Sequence, residues 1–152
     1  MTTARGARYR HTNLIARDWQ RLARFYETVF GCVRLPERDL SGEALERGSG
    51  VKNARLRGAH LRLPGFGDEG PTLEVFQYDE IVEQTVPVAN RAGFGHVAFE
   101  VDDVAQALDA MVAHGGSRLS EVVRVPVAGA GTVCFTYARD PEGNIIELQS
   151  WA

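Results

Sequence analysis

Residues 93–103 read GFGHVAFEVDD, and the way their side chains alternate decides how the second half of the chain folds. Successive residues of a strand point to opposite faces. Val97, Phe99 and Val101 therefore form an apolar face, and His96, Ala98 and Glu100 form the other. Asp103 and Gln106 follow as a capping pair, and Val104, Ala107, Leu108, Met111 and Val112 repeat at helical spacing until HGG ends the helix. VVRVPV, TVCFTYAR and NIIELQSW then predict three strands, with RDPEGN as the turn between the last two.

The first half has the same order. A strand is expected over about 8–16, followed by DWQRLARFYETVFG, in which Trp19, Leu22, Phe25, Tyr26, Val29 and Phe30 keep the helical period and Gly31 is the C-cap. Strand-like sequence continues to about residue 39, and SGEALERGSGVKN, 41–53, reads as a flexible polar loop or lid. ARLRGAHLRLPG and PTLEVFQYD predict two more strands around the turn-rich GFGDEGP. Strand, helix, three strands thus occurs twice, in modules at about 8–79 and 93–151 of a single 1–152 domain. His11 and His96, Asp18 and Asp103, and Gly31 and Gly116 each lie 85 positions apart. Glu74 and Glu147 lie 73 apart, which leaves 12 extra residues in the first half, expected in the 41–53 loop.

Composition bounds the function. The chain is 44 % hydrophobic with a formal charge of -3, which offers no basic field for nucleic acid. No apolar run approaches the roughly 20 residues of a membrane helix, and MTTARGARYR lacks the apolar core of a signal peptide, so a soluble cytoplasmic protein is expected. Cys32 and Cys134 form no CxxC pair and read as core thiols.

The same alternation sets His11 opposite Thr12 and Leu14, Glu74 opposite Leu73 and Val75, and Glu147 opposite Ile146 and Leu148. Each of His11, Glu74, His96 and Glu147 therefore lies on the face turned away from its module's helix. Two imidazoles and two carboxylates converging from two curved sheets suit one divalent metal with open coordination positions. A closed structural zinc site would more often use cysteines. Any one of the four alone would read as an ordinary strand residue; the paired placement is what favours metal.

HTNLIARDWQRLARFYETVFGC, LEVFQY, GFGHVAFEVDDV and DPEGNIIEL resemble, in order, the ligand-bearing strands and helices of the vicinal oxygen chelate superfamily. That superfamily includes glyoxalase I, methylmalonyl-CoA epimerase, extradiol dioxygenases and the fosfomycin and bleomycin resistance proteins. The resemblance spans nearly the whole chain. It implies an α+β fold of two tandem βαβββ modules in a cupped mixed sheet around a metal (Ni, Co, Zn, Mn or Fe), a small-molecule substrate and a homodimer. His11, Glu74, His96 and Glu147 resemble the ligand set of bacterial glyoxalase I. The implied chemistry is a lyase or isomerase reaction: proton abstraction alpha to a carbonyl through a metal-bound enediolate, with Glu147 moving the proton and Glu74 as its counterpart. The arginine that glyoxalase I carries four residues beyond its first ligand is Ile15 here, and Arg17 is its possible substitute. Asn13, Ile15, Arg17, Phe76, Ala98 and Gln149 are expected to line the substrate pocket. His60 reads as a strand-surface histidine or a further pocket residue. The alternatives are a CoA-thioester epimerase and a metal-free protein that sequesters an antibiotic.

Overall fold

The computed structural model describes residues 5–152, so the reading of the N-terminal stretch rests in part on residues 1–4, which lie outside the described residues. The chain divides into two compact units, Met1–Ile81 and Val82–Ala152.

The first unit holds β1 (His11–Ile15), α1 (Trp19–Phe30), β2 (Val33–Arg34), β3 (Arg38–Ser41), α2 (Glu43–Ser49), β4 (Arg55–Arg62) and β5 (Thr72–Tyr78). Its sheet runs β1-β5-β4-β2, and β3 also pairs with β4. β1 and β5 are parallel, while β4 is antiparallel to β5, β2 and β3. The second unit holds β6 (Val97–Glu100), α3 (Val104–Ala113), β7 (Ser117–Arg118), β8 (Val123–Val127), β9 (Gly131–Arg139) and β10 (Ile145–Trp151). Its sheet repeats that pattern as β6-β10-β9-β7, with β8 also on β9. The fold class is α+β, as the sequence predicts, and the duplication is visible in the topology. In each unit the strand that follows the first helix is broken in two, and both pieces pair with the same neighbour.

The second unit's helix begins at the expected capping pair, and the first unit's helix begins at Asp18, the residue 85 positions earlier. The Asp18 carboxylate accepts from the Arg21 N–H and that of Asp103 from the Gln106 N–H, each at 3.0 Å. Each cap satisfies one of the donors that a helix leaves unpaired at its start. Gly31 ends α1 in the left-handed conformation at φ 70°, where only glycine is unstrained. α1 buries Leu22, Ala23 and Tyr26, while Ala59, Leu61, Leu73 and Val75 are buried on one face of its sheet; Leu108 and Met111 of α3 are buried likewise, with Ile146 and Leu148 on β10. Each fully buried leucine contributes roughly 1.5–3 kcal/mol. These cores hold the helices against one face of each sheet and leave the opposite face for chemistry.

Several expectations are corrected. The 41–53 segment is not a featureless loop: it contains α2, which starts at Gly42 and ends at Gly50 with φ 73°. A Glu43–Arg47 pair one turn apart and a Ser49 hydroxyl donating to the Leu45 carbonyl support this short helix. It buries no residue, which is why no apolar period announced it. The second unit has no helix at the corresponding place, but the strand registers put only eight of the 12 extra residues between β3 and β4 (offset 85 − 77) and the other four in the 63–71 connection between β4 and β5 (77 − 73). Gly116 is not the counterpart of Gly31, because α3 is capped at His114 and the left-handed glycine is Gly115. Gly116 serves close packing instead: a Cβ there would lie 2.6 Å from the Arg139 carbonyl oxygen. Among the described residues, no helix is long and apolar enough to cross a membrane.

Candidate metal centre

In the first unit three adjacent strands set the site. Register pairs His11 with Thr72 and Asn13 with Glu74 between β1 and β5, and His60 with Glu74 between β4 and β5. Paired residues share a face. His11, Asn13, His60, Thr72 and Glu74 therefore cluster on the face opposite the buried Leu73 and Val75. His11 Nε2 lies 3.8 Å from Glu74 Oε1, and His60 Nε2 lies 2.7 Å from Glu74 Oε2. One ligand atom each from His11, His60 and Glu74 fall within 4.8 Å of one another. Asn13 Nδ2 donates to Glu74 Oε1 at 2.8 Å and so orients the carboxylate. The His60 side chain is only 12 % exposed, against 41 % for His11. Burial pushes the His60 imidazole below its ordinary pKa, against the opposing pull of the Glu74 charge, and the neutral ring is the form that ligates metals.

In the second unit Glu147 on β10 faces Ala98 on β6 and Tyr137 on β9. The β9–β10 turn is built by Asp140, whose carboxylate accepts from the Glu142 and Asn144 N–H groups and from the Asn144 amide. His96 lies one residue before β6 and brings Nε2 within 2.8 Å of Glu147 Oε2. Its ring centroid is 5.1 Å from that of Tyr137. Burial, with the Glu147 charge, pushes the Tyr137 phenol above its ordinary pKa.

Each unit thus joins its own imidazole to its own carboxylate. A metal fits the donor set, and the observation that bears on this is His60 Nε2. It is covered from solvent, lies 2.7 Å from Glu74 Oε2, and joins His11 and Glu74 in a cluster of three donors within 4.8 Å of one another.

The other expected site residues divide. Asn13 is engaged with Glu74, Phe76 is buried beside His60 at 6.1 Å between ring centroids, and Ile15 and Ala98 are exposed on the ligand faces of their strands. Gln149 Oε1 accepts from the Trp151 indole N–H. Arg17 lies beyond the last residue of β1, so strand alternation does not carry it to the face of Ile15. Burial and the Glu27 charge push the Cys32 thiol up to about 12, as suits a core thiol. Strand alternation alone did not reveal the role of His60 beside Glu74 or that of Tyr137 beside Glu147. His60 meets Glu74 only through the β4–β5 register, and the long 63–71 connection hides that register in the sequence.

The sequence profile of the Glyoxalase/Bleomycin resistance protein/Dioxygenase superfamily matches residues 8–148. A "Probable lactoylglutathione lyase" of Vibrio parahaemolyticus is 37 % identical over 90 residues, covering 58 % of this chain and 60 % of that protein. A lactoylglutathione lyase of Arabidopsis thaliana is 30 % identical over 141 residues, covering 93 % of this chain and 43 % of its own length. The chain thus spans about half the length of the curated relatives it matches. Among solved structures, a glyoxalase family protein from Bacillus cereus superposes with a TM-score of 0.81 at 20 % identity, covering 99 % of both chains, which is a likeness of fold. Glyoxalase I from Zea mays gives 0.64 at 27 % identity, covering 93 % of this chain and 44 % of its own. With a profile match over nearly its whole length, the chain belongs to the Glyoxalase/Bleomycin resistance protein/Dioxygenase superfamily.

Proposed function

We propose that the protein is a metal-dependent lyase or isomerase of the glyoxalase I type that moves a proton alpha to a carbonyl of a small-molecule substrate. The observation that carries this reading is the repeated imidazole–carboxylate pair, His11 with Glu74 and His96 with Glu147, on the face of each sheet turned away from its helix. The proposed metal ligands are His11, Glu74, His96 and Glu147, and the relatives named as lactoylglutathione lyases support the reaction class. When bound, a divalent ion supplies Lewis acidity toward a carbonyl oxygen.

The residues of the chain do the rest. Glu147 takes a proton from the carbon beside the carbonyl and returns it to the neighbouring carbon, so the reaction is an isomerisation with no atom gained or lost. His96 holds that carboxylate, and Asn13 fixes Glu74 so that it serves as the counterpart acid or base. Ile15, Phe76, Ala98 and Gln149 form the proposed substrate surface. With Ile15 where glyoxalase I carries an arginine, that surface favours a substrate less charged than a glutathione adduct. We place the activity in a homodimer, as the resemblance implies.

The test is turnover by metal-reconstituted protein on glutathione hemithioacetals of 2-oxoaldehydes, uncharged thiol hemithioacetals and CoA thioesters. Glu147→Gln is expected to lower kcat by about 10²–10⁴-fold with KM little changed. Unchanged turnover in that variant places the base elsewhere.

A further inference from the structure

His60 stands with His11 and Glu74 in one cluster of possible metal donors. Its Nδ1 shares a 2.7 Å hydrogen bond with the Thr72 hydroxyl, which fixes the ring. Its Nε2 is buried and lies 2.7 Å from Glu74 Oε2. Thr72 can donate to or accept from Nδ1, so Nε2 faces the Glu74 carboxylate either as an N–H donor or, once that proton is displaced, as a lone pair ready to ligate a metal. What points to a metal is the third donor: His11, His60 and Glu74 each offer one ligand atom within 4.8 Å of the others. The His11 ring stands edge-on to His60, with centroids 5.3 Å apart at 82°. Donors bound at about 2.0–2.2 Å to one ion lie roughly 3–4 Å from each other. His60 lies 2.7 Å from Glu74 Oε2, His11 lies 3.8 Å from Oε1, and one ligand atom from each of the three falls within 4.8 Å of the others, so side-chain movements of an ångström or so bring them to one ion.

The duplicated topology supplies the contrast. In the second unit the residue paired with the carboxylate from the neighbouring antiparallel strand is Tyr137, where the first unit has His60. A protonated phenol is a poor ligand, so the second unit offers two good donors and the first offers three.

We propose that His60 is a metal ligand, and that His11, His60 and Glu74 retain a divalent transition-metal ion on the first unit without His96 or Glu147. This deepens the metal-dependent reading above and rests on it. Two imidazoles and one carboxylate suit Fe(II), Co(II), Ni(II) or Zn(II) and leave positions open for further ligands. Proton transfer by Glu147 then does not compete with metal retention.

The experiment uses the full chain, stripped with chelator and reloaded with Co(II) or Zn(II). Bound metal is read by elemental analysis after gel filtration, and affinity by competition with a chromophoric chelator. The double variant His96→Ala/Glu147→Gln is expected to bind more weakly than wild type yet still retain about one ion per chain through gel filtration, and His60→Gln, folded, is expected to lose at least about 10–100-fold in affinity. In wild type, the His60 Nε2 15N resonance is expected to shift on addition of Zn(II), a readout independent of how any variant folds. Wild-type affinity in His60→Gln, loss of metal in the double variant, or an unmoved His60 resonance with Zn(II) bound overturns the proposal while the metal-dependent reading stands. Wild type that takes up neither ion overturns both.

Discussion

Gly58 stands two residues before His60 on β4, and a Cβ there would meet the Val75 carbonyl oxygen at 2.0 Å and Phe76 Cδ1 at 2.3 Å. The space it leaves is filled by the Phe76 ring, which in turn packs edge-on against His60. Replacing a strand glycine normally stabilises a protein, because glycine loses more backbone freedom on folding than any other residue. Here the obstacle is a backbone carbonyl, which cannot rotate away as a side chain can. Gly58→Ala is therefore expected to lower stability by about 1–3 kcal/mol in urea denaturation. A gain in stability would mean that Phe76 is not held where it supports His60. This dependence could not be read from RGAHLRL, because nothing in the sequence says which glycine lies under an aromatic ring. The faces of His11, Glu74, His96 and Glu147 were legible, since alternation against buried apolar neighbours needs only local sequence.

The helices differ in how much of them the sequence announces, for the same reason that they should differ in stability. α1 was legible from its Gly31 C-cap and its apolar period, and it buries Trp19, Leu22, Ala23, Phe25 and Tyr26. α2 buries nothing, has no side-chain hydrogen bond at its N-cap and rests on exposed charge pairs worth a few tenths of a kcal/mol. A helix of this length has no stability of its own in water. Native-state hydrogen exchange should find the α2 amides opening locally, with free energies at least about 2 kcal/mol below those of the central α1 amides. Equal protection in the two helices would mean that α2 is covered by something that its exposure does not suggest. The strand breaks after each first helix went unread because two-residue strands such as Val33–Arg34 and Ser117–Arg118 are too short to show alternation.

Across the whole molecule the two units share a topology but not a donor set, and this asymmetry has a thermodynamic consequence. The duplication was legible because His11 and Asp18 recur as His96 and Asp103. The asymmetry was not, because it depends on what stands opposite each carboxylate across an antiparallel pair. If His11, His60 and Glu74 hold the ion, binding requires the folded β1–β5–β4 sheet, since the unfolded chain does not keep these residues together. An ion that binds only the folded state at 100 times its Kd stabilises that state by about 2.7 kcal/mol. For a chain of this size, that raises Tm by about 5–10 °C. Trp19 is 6 % exposed on α1 and reports the first unit, while Trp151 is 44 % exposed at the end of β10. In a Trp151→Phe background, Trp19 fluorescence should therefore follow unfolding at a Tm raised by Zn(II) and restored by chelator. The same rise should be largely lost in His60→Gln and only partly reduced in His96→Ala. A rise that His60→Gln leaves intact would move the preformed donor set away from the first unit. No rise at saturating ion would mean that folding does not assemble these donors for metal at all.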